Sequence, residues 1–143
     1  MSLANVLLVD DEVPFVETML KRLSKREVDV IAAYSGSEAL DLLRRNRSVE
    51  VVILDVKMPG MDGMETLQEI KKRHPLVEVI MLTGHATVES GIEGMKMGAF
   101  DYLMKPCDMD VLVSKVGEAA ARKRQHEEKI VNARVKEITS RRP

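Results

Sequence analysis

The residues best suited to chemistry in this chain stand at the ends of its apolar runs. Residues 6–9 lead into Asp10-Asp11-Glu12, Val51–Leu54 into Asp55, residues 79–82 into Thr83, and residues 102–104 into Lys105-Pro106. If these runs are neighbouring parallel strands, their ends share one edge, and three carboxylates, a hydroxyl and an ammonium meet in a single cleft. Carboxylates that close repel one another, so the cleft is stable only with a countercharge. A hard divalent cation fits: magnesium takes oxygen ligands, keeps several waters and uses one or two carboxylates together with phosphate oxygens. A carboxylate beside such a cation and a lysine is well placed to receive a phosphoryl group, because catalysis of that transfer is mostly positioning and charge neutralisation. The chemistry predicted is phosphorylation of an aspartate.

The elements that must position these groups follow from hydrophobic periodicity. The four runs read as buried strands, and a fifth, Val28–Ala33, is interrupted by Asp29 and reads as a strand at or near a sheet edge. Phe15, Val16, Met19, Leu20 and Leu23 make the apolar stripe of a first helix, with Pro14 acceptable in its first turn. Ser35 with Glu38, and Asp62 with Glu65, place capping side chains before the next two stripes, and Pro75 stops the third helix. Residues 87–97 have helical spacing but contain Gly91 and Gly94, each costing ~1 kcal/mol relative to Ala, so this fourth helix is expected to be soft. Asp108 caps a fifth, predicted from residue 109 to about 138 and then ~45 Å long. Strand and helix alternate five times with short connections. That pattern predicts an α/β fold: a doubly wound, five-stranded parallel sheet with helices on both faces, too small for a closed eight-stranded barrel. Ligands of such sheets bind beyond the carboxyl ends of the strands, where strand order reverses.

Composition narrows the function classes. The 143 residues are 45% hydrophobic and 31% charged, as suits one compact domain. A formal net charge of −1 offers no global basic field for nucleic acid, and with no Trp, two Phe and two Tyr there is no row of stacking platforms for single strands. Direct nucleic-acid binding by this domain is not expected. No apolar stretch approaches the ~18 residues that span a bilayer, and the N-terminus lacks a signal-peptide layout, so no membrane partner and a cytoplasmic location are expected. The single cysteine, Cys107, has no partner for an internal disulfide and leaves no structural zinc site. His74, His85 and His126 are scattered and read as surface residues, and the ten methionines as core and helix-face filling. Charge is uneven along the chain. Residues 1–114 carry 13 Lys/Arg against 19 Asp/Glu, and residues 115–143 carry 9 against 4, which divides the chain into a folded body over 4–121 and a basic helical extension over 122–143.

The stretch Asp55-Val56-Lys57-Met58-Pro59-Gly60-Met61-Asp62-Gly63, with Asp10-Asp11 before it and Thr83 and Lys105-Pro106 after it, resembles the receiver domains of bacterial two-component response regulators. The resemblance covers residues 4 to about 121 and implies the strand order 2-1-3-4-5 for the sheet. It implies that Asp55 accepts a phosphoryl group from a sensor histidine kinase, and that magnesium is ligated by Asp11, Asp55 and the backbone carbonyl of Lys57, with Asp10 acting mainly through water. It further implies that Lys105 neutralises the phosphoryl oxygens, that Thr83 hydrogen-bonds to them, and that the Lys105–Pro106 bond is cis. Tyr102 matches the aromatic position whose rotamer follows the threonine. Lys57 and His85 match positions that influence attack by water on the acyl phosphate. The implied role is a phosphoacceptor signalling domain rather than an enzyme, with self-phosphorylation from small donors and slow self-dephosphorylation as its only reactions. Phosphorylation would repack the face built by the fourth helix, fifth strand and fifth helix, and so control an output domain or a protein partner.

Taken singly, each of these residues has a plainer reading. An acidic pair after a strand is commonly a turn or cap, a strand-end Thr a local hydrogen-bonding group, and Lys105 a solvated charge. Their convergence on one edge is what favours chemistry. Two other readings use a similar fold. A flavin-binding module is disfavoured because carboxylates, rather than a Ser/Thr/Gly-rich loop, follow the first strand. A haloacid-dehalogenase-like phosphohydrolase is disfavoured because Lys57 stands where a second Asp is expected. In the extension, Leu112, Val116, Ala119 and Ala120 form the expected packing face, residues 122–129 lack a strongly apolar side chain, and apolar spacing resumes at Ile130, Val131, Val135 and Ile138. That pattern reads either as a solvated helix end or as a helix that dimerises or links to an output domain, as after receivers of the nitrogen-regulator type, which residues 100–108 also resemble. A second copy of this chain is thus a candidate partner.

Overall fold

The computed structural model describes residues 2–141. In chain order the elements are β1 (Ala4–Val9), α1 (Val13–Ser24), β2 (Val28–Ala33), α2 (Gly36–Arg45), β3 (Val51–Leu54), α3 (Gly63–Arg73), β4 (Glu78–Thr83), α4 (Val88–Lys96), β5 (Asp101–Met104) and α5 (Met109–Ser140). All pairings are parallel and the strand order is β2-β1-β3-β4-β5, the doubly wound arrangement expected. Strand residues alternate between two cores because side chains project to opposite faces. Leu7, Val9, Val52, Leu54, Val79 and Met81 face α2 and α3, whereas Val6, Leu8, Val51, Ile53, Ile80 and Leu82 face α1 and α5. With both faces covered, β3 and β4 are buried along their whole length.

The caps act as anticipated. The Ser35 side chain accepts from the Glu38 N–H, Asp62 from Glu65, and Asp108 from Asp110 and Val111. In α4, Thr87 and Ser90 form a reciprocal capping box that offsets part of the weakness introduced by Gly91 and Gly94. One expectation is corrected. β5, at the sheet edge where the expected strand order puts it, is not buried: Asp101, Tyr102 and Leu103 are half-buried, and Met104 is 63% exposed.

Helix α5 is continuous over 32 residues, about 48 Å at 1.5 Å per residue. Its expected packing residues Leu112, Val116, Ala119 and Ala120 are buried. Beyond them it is fastened at the amino ends of the central strands, where Glu50 and Glu78 are buried. Arg124 donates from Nε and Nη2 to the two Glu50 carboxylate oxygens at 2.6 and 2.9 Å, and from Nη2 to the Leu3 carbonyl at 3.1 Å. Glu78 lies 3.4 Å from the Lys71 Nζ and 3.0 Å from the Arg122 Nε, the latter an ion pair without an aligned hydrogen bond. The basic residues at the start of the 122–143 stretch thus rest on the body, while Ile130, Val131, Val135 and Ile138 are exposed. Arg142 and Pro143, the end of the extension, lie outside the described residues.

Burial pushes the Glu50 carboxyl up, but Arg124 and the Asn5 N–H outweigh it and hold the group below its ordinary range. A lowered folded value means that stability is gained above the unfolded pKa and lost as pH falls through the folded one. Arg124→Ala is expected to cost about 1–2 kcal/mol at neutral pH, a charged hydrogen bond discounted for the exposure of the arginine. Thermal unfolding at a series of pH values checks this. The difference from the parent should shrink as Glu50 becomes protonated, and a difference independent of pH would refute it.

Candidate functional site

The parallel register sets the site. Val9 pairs with Leu54, Leu54 with Met81, and Thr83 with Met104, so the residues that follow these strands emerge along one edge. Strand order reverses between β1 and β3, which places that edge at the fold's ligand-binding crevice. Asp10, Asp55 and Thr83 are buried, and Asp11 is partly open to solvent. One carboxylate oxygen from each of Asp10, Asp11 and Asp55 lies within 4.8 Å of the others. The Lys105 Nζ reaches in from the end of β5, 2.6 Å from the Asp10 Oδ2 and 4.0 Å from the Asp55 Oδ2, and the Lys105–Pro106 bond is cis.

The loops around these groups are held by short-range hydrogen bonds. The Glu12 N–H donates to the Asp10 Oδ1 at 3.0 Å, the Val56 N–H to the Asp55 Oδ1 at 2.8 Å, and the His85 N–H to the Thr83 Oγ1 at 3.0 Å. Gly63 brings the start of α3 against the Asp55 backbone. Its N–H donates to the Val56 carbonyl at 2.7 Å, and a Cβ at this position would lie 2.1 Å from the Asp55 carbonyl oxygen, so no larger residue fits without moving the loop that carries Asp55. Lys57 is exposed on that loop, two residues beyond Asp55.

Three carboxylates face one ammonium here. Like charges about 4 Å apart cost about 4 kcal/mol per pair at an effective dielectric of 20, so the cluster is electrostatically unfavourable as it stands. Asp55 registers the strain. Burial and the neighbouring Asp10 raise its carboxyl above the ordinary value, against the downward pull of the Thr83 hydroxyl, Lys105 and the Val56 N–H. A divalent cation relieves that repulsion, and hard carboxylate oxygens partly open to water are the donor set magnesium prefers. The residues present fit such an ion.

Tyr102, the expected switch residue, lies against α4. Its hydroxyl is 2.5 Å from the Ser90 Oγ, and its ring sits where Cβ atoms on Gly91 and Gly94 would meet it at 3.6 and 3.7 Å. Two contacts escaped the sequence reading. Ser90 had no signal, because its partner is twelve residues away on another element. Phe15 was legible as part of the α1 stripe, but the structure also sets its ring centroid 4.0 Å from the Lys105 Nζ.

The response regulator receiver domain family matches residues 6–117 of this chain. Among curated proteins, the DNA-binding transcriptional regulator NtrC of Klebsiella pneumoniae is 37% identical over 112 residues, covering 78% of this chain and 24% of that protein. The transcriptional regulatory protein ZraR of Escherichia coli K12 is 37% identical over 117 residues, covering 82% and 26%. The chain thus spans about a quarter of the length of these relatives. Among solved structures, a response regulator receiver domain protein from Clostridium thermocellum superposes with a TM-score of 0.81 at 39% identity, over 85% of this chain and 98% of the other. NtrX from Brucella abortus gives a TM-score of 0.81 at 31% identity, over 90% of this chain and 29% of the other.

Proposed function

This chain belongs to the response regulator receiver domain family, and from that premise we propose that Asp55 is its phosphoacceptor, served by a magnesium ion held between Asp11, Asp55 and the Lys57 backbone carbonyl, with Asp10 acting through water. The observation that carries the reading is the placement of the Asp55 carboxylate between an acidic pair and an ammonium 4.0 Å away. An Asp55 oxygen attacks the phosphorus of a donor, a phosphohistidine on a sensor kinase or a small acyl phosphate. The bond from phosphorus to the leaving nitrogen or oxygen breaks, and its electron pair departs with the leaving group. The bound cation supplies charge neutralisation to the transferring oxygens. Lys105 leaves Asp10 to pair with the phosphoryl group, and Thr83 donates its hydroxyl to a phosphoryl oxygen. The flavin-binding and phosphohydrolase readings are not favoured, since both the sequence relatives and the structural neighbours are response regulators.

In the proposed domain division, residues 4–121 form the receiver and 122–143 the extension that leads to an output domain or partner, with a second copy of the chain as a further candidate partner. The chain acts as a signalling domain whose only reactions are phosphoryl uptake and slow loss, with Lys57 and His85 flanking the path of attacking water. Phosphorylation adds roughly −1.5 to −2 charge. As Thr83 turns toward it, the His85 N–H that donates to the threonine oxygen draws the β4–α4 loop along. Tyr102 then moves relative to Ser90 and the face made by α4, β5 and α5 repacks. Amide exchange over residues 86–104, measured with and without a phosphoryl mimic, is expected to change by severalfold in α4 and β5. Identical protection in the two states would refute the switch.

A further inference from the structure

We propose that Phe15 is a positioning residue for Lys105, holding the ammonium in the pocket by a cation–π contact while it transfers from Asp10 to the phosphoryl group on Asp55. The inference rests on the phosphoacceptor reading and extends it to a residue outside the acidic and strand-end motif.

In this structure the Lys105 Nζ lies 2.6 Å from the Asp10 Oδ2, 4.0 Å from the Asp55 Oδ2 and 4.0 Å from the Phe15 ring centroid. Phe15 is the third residue of α1 and, like Leu103 and Met109, packs partly buried against the core on the α1 and α5 face of the sheet. It stands three residues beyond Glu12, whose N–H is held by Asp10, so the loop that presents the acidic pair also sets the ring. The lysine side chain is only 15% exposed, and a cation–π contact gains strength when its partners are desolvated.

The two partners of Lys105 differ in what they allow. Asp10 holds the ammonium by a short charged hydrogen bond and must release it once its own charge is drawn toward a cation. The ring face carries no single acceptor atom, so the ammonium can slide across it without losing contact, and its remaining N–H groups stay free for incoming oxygens. Phe15 therefore acts on the lysine's approach to Asp55 and leaves the carboxylates that hold magnesium untouched.

The test compares the parent protein with Phe15→Leu, Phe15→Tyr and versions carrying 4-fluoro- or 3,4,5-trifluorophenylalanine at position 15. The phosphorylation rate constant is measured with a small acyl phosphate at saturating magnesium. Magnesium affinity and the ring-current shift of the Lys105 ε-methylene protons are measured in the same samples. Phe15→Leu is expected to lower the rate constant about 3- to 30-fold, with magnesium affinity unchanged within twofold and the ring-current shift lost. Phe15→Tyr restores the rate. Progressive fluorination, which withdraws charge from the ring face while nearly preserving its shape, lowers the rate stepwise and keeps the inference testable should the leucine variant fold poorly. Full rates in the fluorinated proteins, or an unaltered rate in Phe15→Leu with the parent active, would overturn the role of Phe15 alone. A parent that takes up no phosphoryl group would overturn the phosphoacceptor reading and this inference with it.

Discussion

Asp55→Asn protein is expected to take up no phosphoryl group from an acyl phosphate, yet to unfold at a higher temperature than the parent when magnesium is absent. The first effect is the loss of the attacking oxygen, since a carboxamide is too weak a nucleophile to replace a carboxylate. The second follows from the electrostatics of the pocket. Burial, and then the nearby Asp10, raise the Asp55 carboxyl above its ordinary value despite the opposing contacts. A raised folded pKa means the folded protein binds more protons than the unfolded chain. Stability from this group is thus present below the unfolded value and lost as pH rises through the folded one. Ionisation of this group therefore weakens the fold, and asparagine removes the charge while keeping an acceptor for the Val56 N–H. The gain should be about 1–2 kcal/mol, the repulsion of one like-charge neighbour partly offset by Lys105, and a few degrees in melting temperature. Added magnesium should reverse the order, because the parent binds it more tightly, and a ligand at 100 times its Kd contributes about 2.7 kcal/mol. Calorimetric melting of both proteins with and without the ion reads all of this. A variant less stable than the parent without metal would show that repulsion does not dominate the pocket.

Lys105→Gln should separate two properties that a purely structural lysine would move together. Its ammonium, 2.6 Å from the Asp10 Oδ2 and 4.0 Å from the Asp55 Oδ2, is the countercharge of the metal-free pocket and so competes with an incoming cation. Removing it should tighten magnesium binding about tenfold, the equivalent of roughly 1.4 kcal/mol of lost competition. The same change removes the donor aimed at the phosphoryl oxygens, and loss of one preorganised donor to developing charge typically slows a reaction about 100-fold or more. Magnesium titration and single-turnover labelling on the same preparation give both numbers. Weaker magnesium binding together with an unaltered labelling rate would contradict both roles.

How much of this was legible in the sequence depended on the range of each signal. Ser35 with Glu38 and Asp62 with Glu65 are caps whose partners lie three residues apart, and they were read correctly because the interaction is local. The edge that gathers Asp10, Asp55, Thr83 and Lys105 was also accessible, since apolar runs that stop at polar residues mark strand ends and the alternation of elements dictates a parallel sheet. The burial of β5 was misjudged because residues 102–104 form an apolar run, and such a run does not disclose how far an edge strand is covered by the elements packed on it. The docking of Arg124 on Glu50 spans 74 residues, and a basic stretch on a helix looks the same whether it is solvated or seated on buried carboxylates. The Phe15 contact lay hidden in a good signal: a residue that fits an amphipathic stripe invites no second reading, yet its ring is large enough to serve the core and the site together.

The most direct test is to incubate the unaltered protein with a small acyl phosphate, with magnesium or with a chelator, and to read intact mass and the modified residue. One phosphoryl group per chain, on Asp55, formed with magnesium and absent with the chelator, is the result expected. No gain in mass with magnesium, an equal gain without it, or a phosphoryl group mapped to another residue would contradict the assignment of Asp55 as a metal-assisted phosphoacceptor.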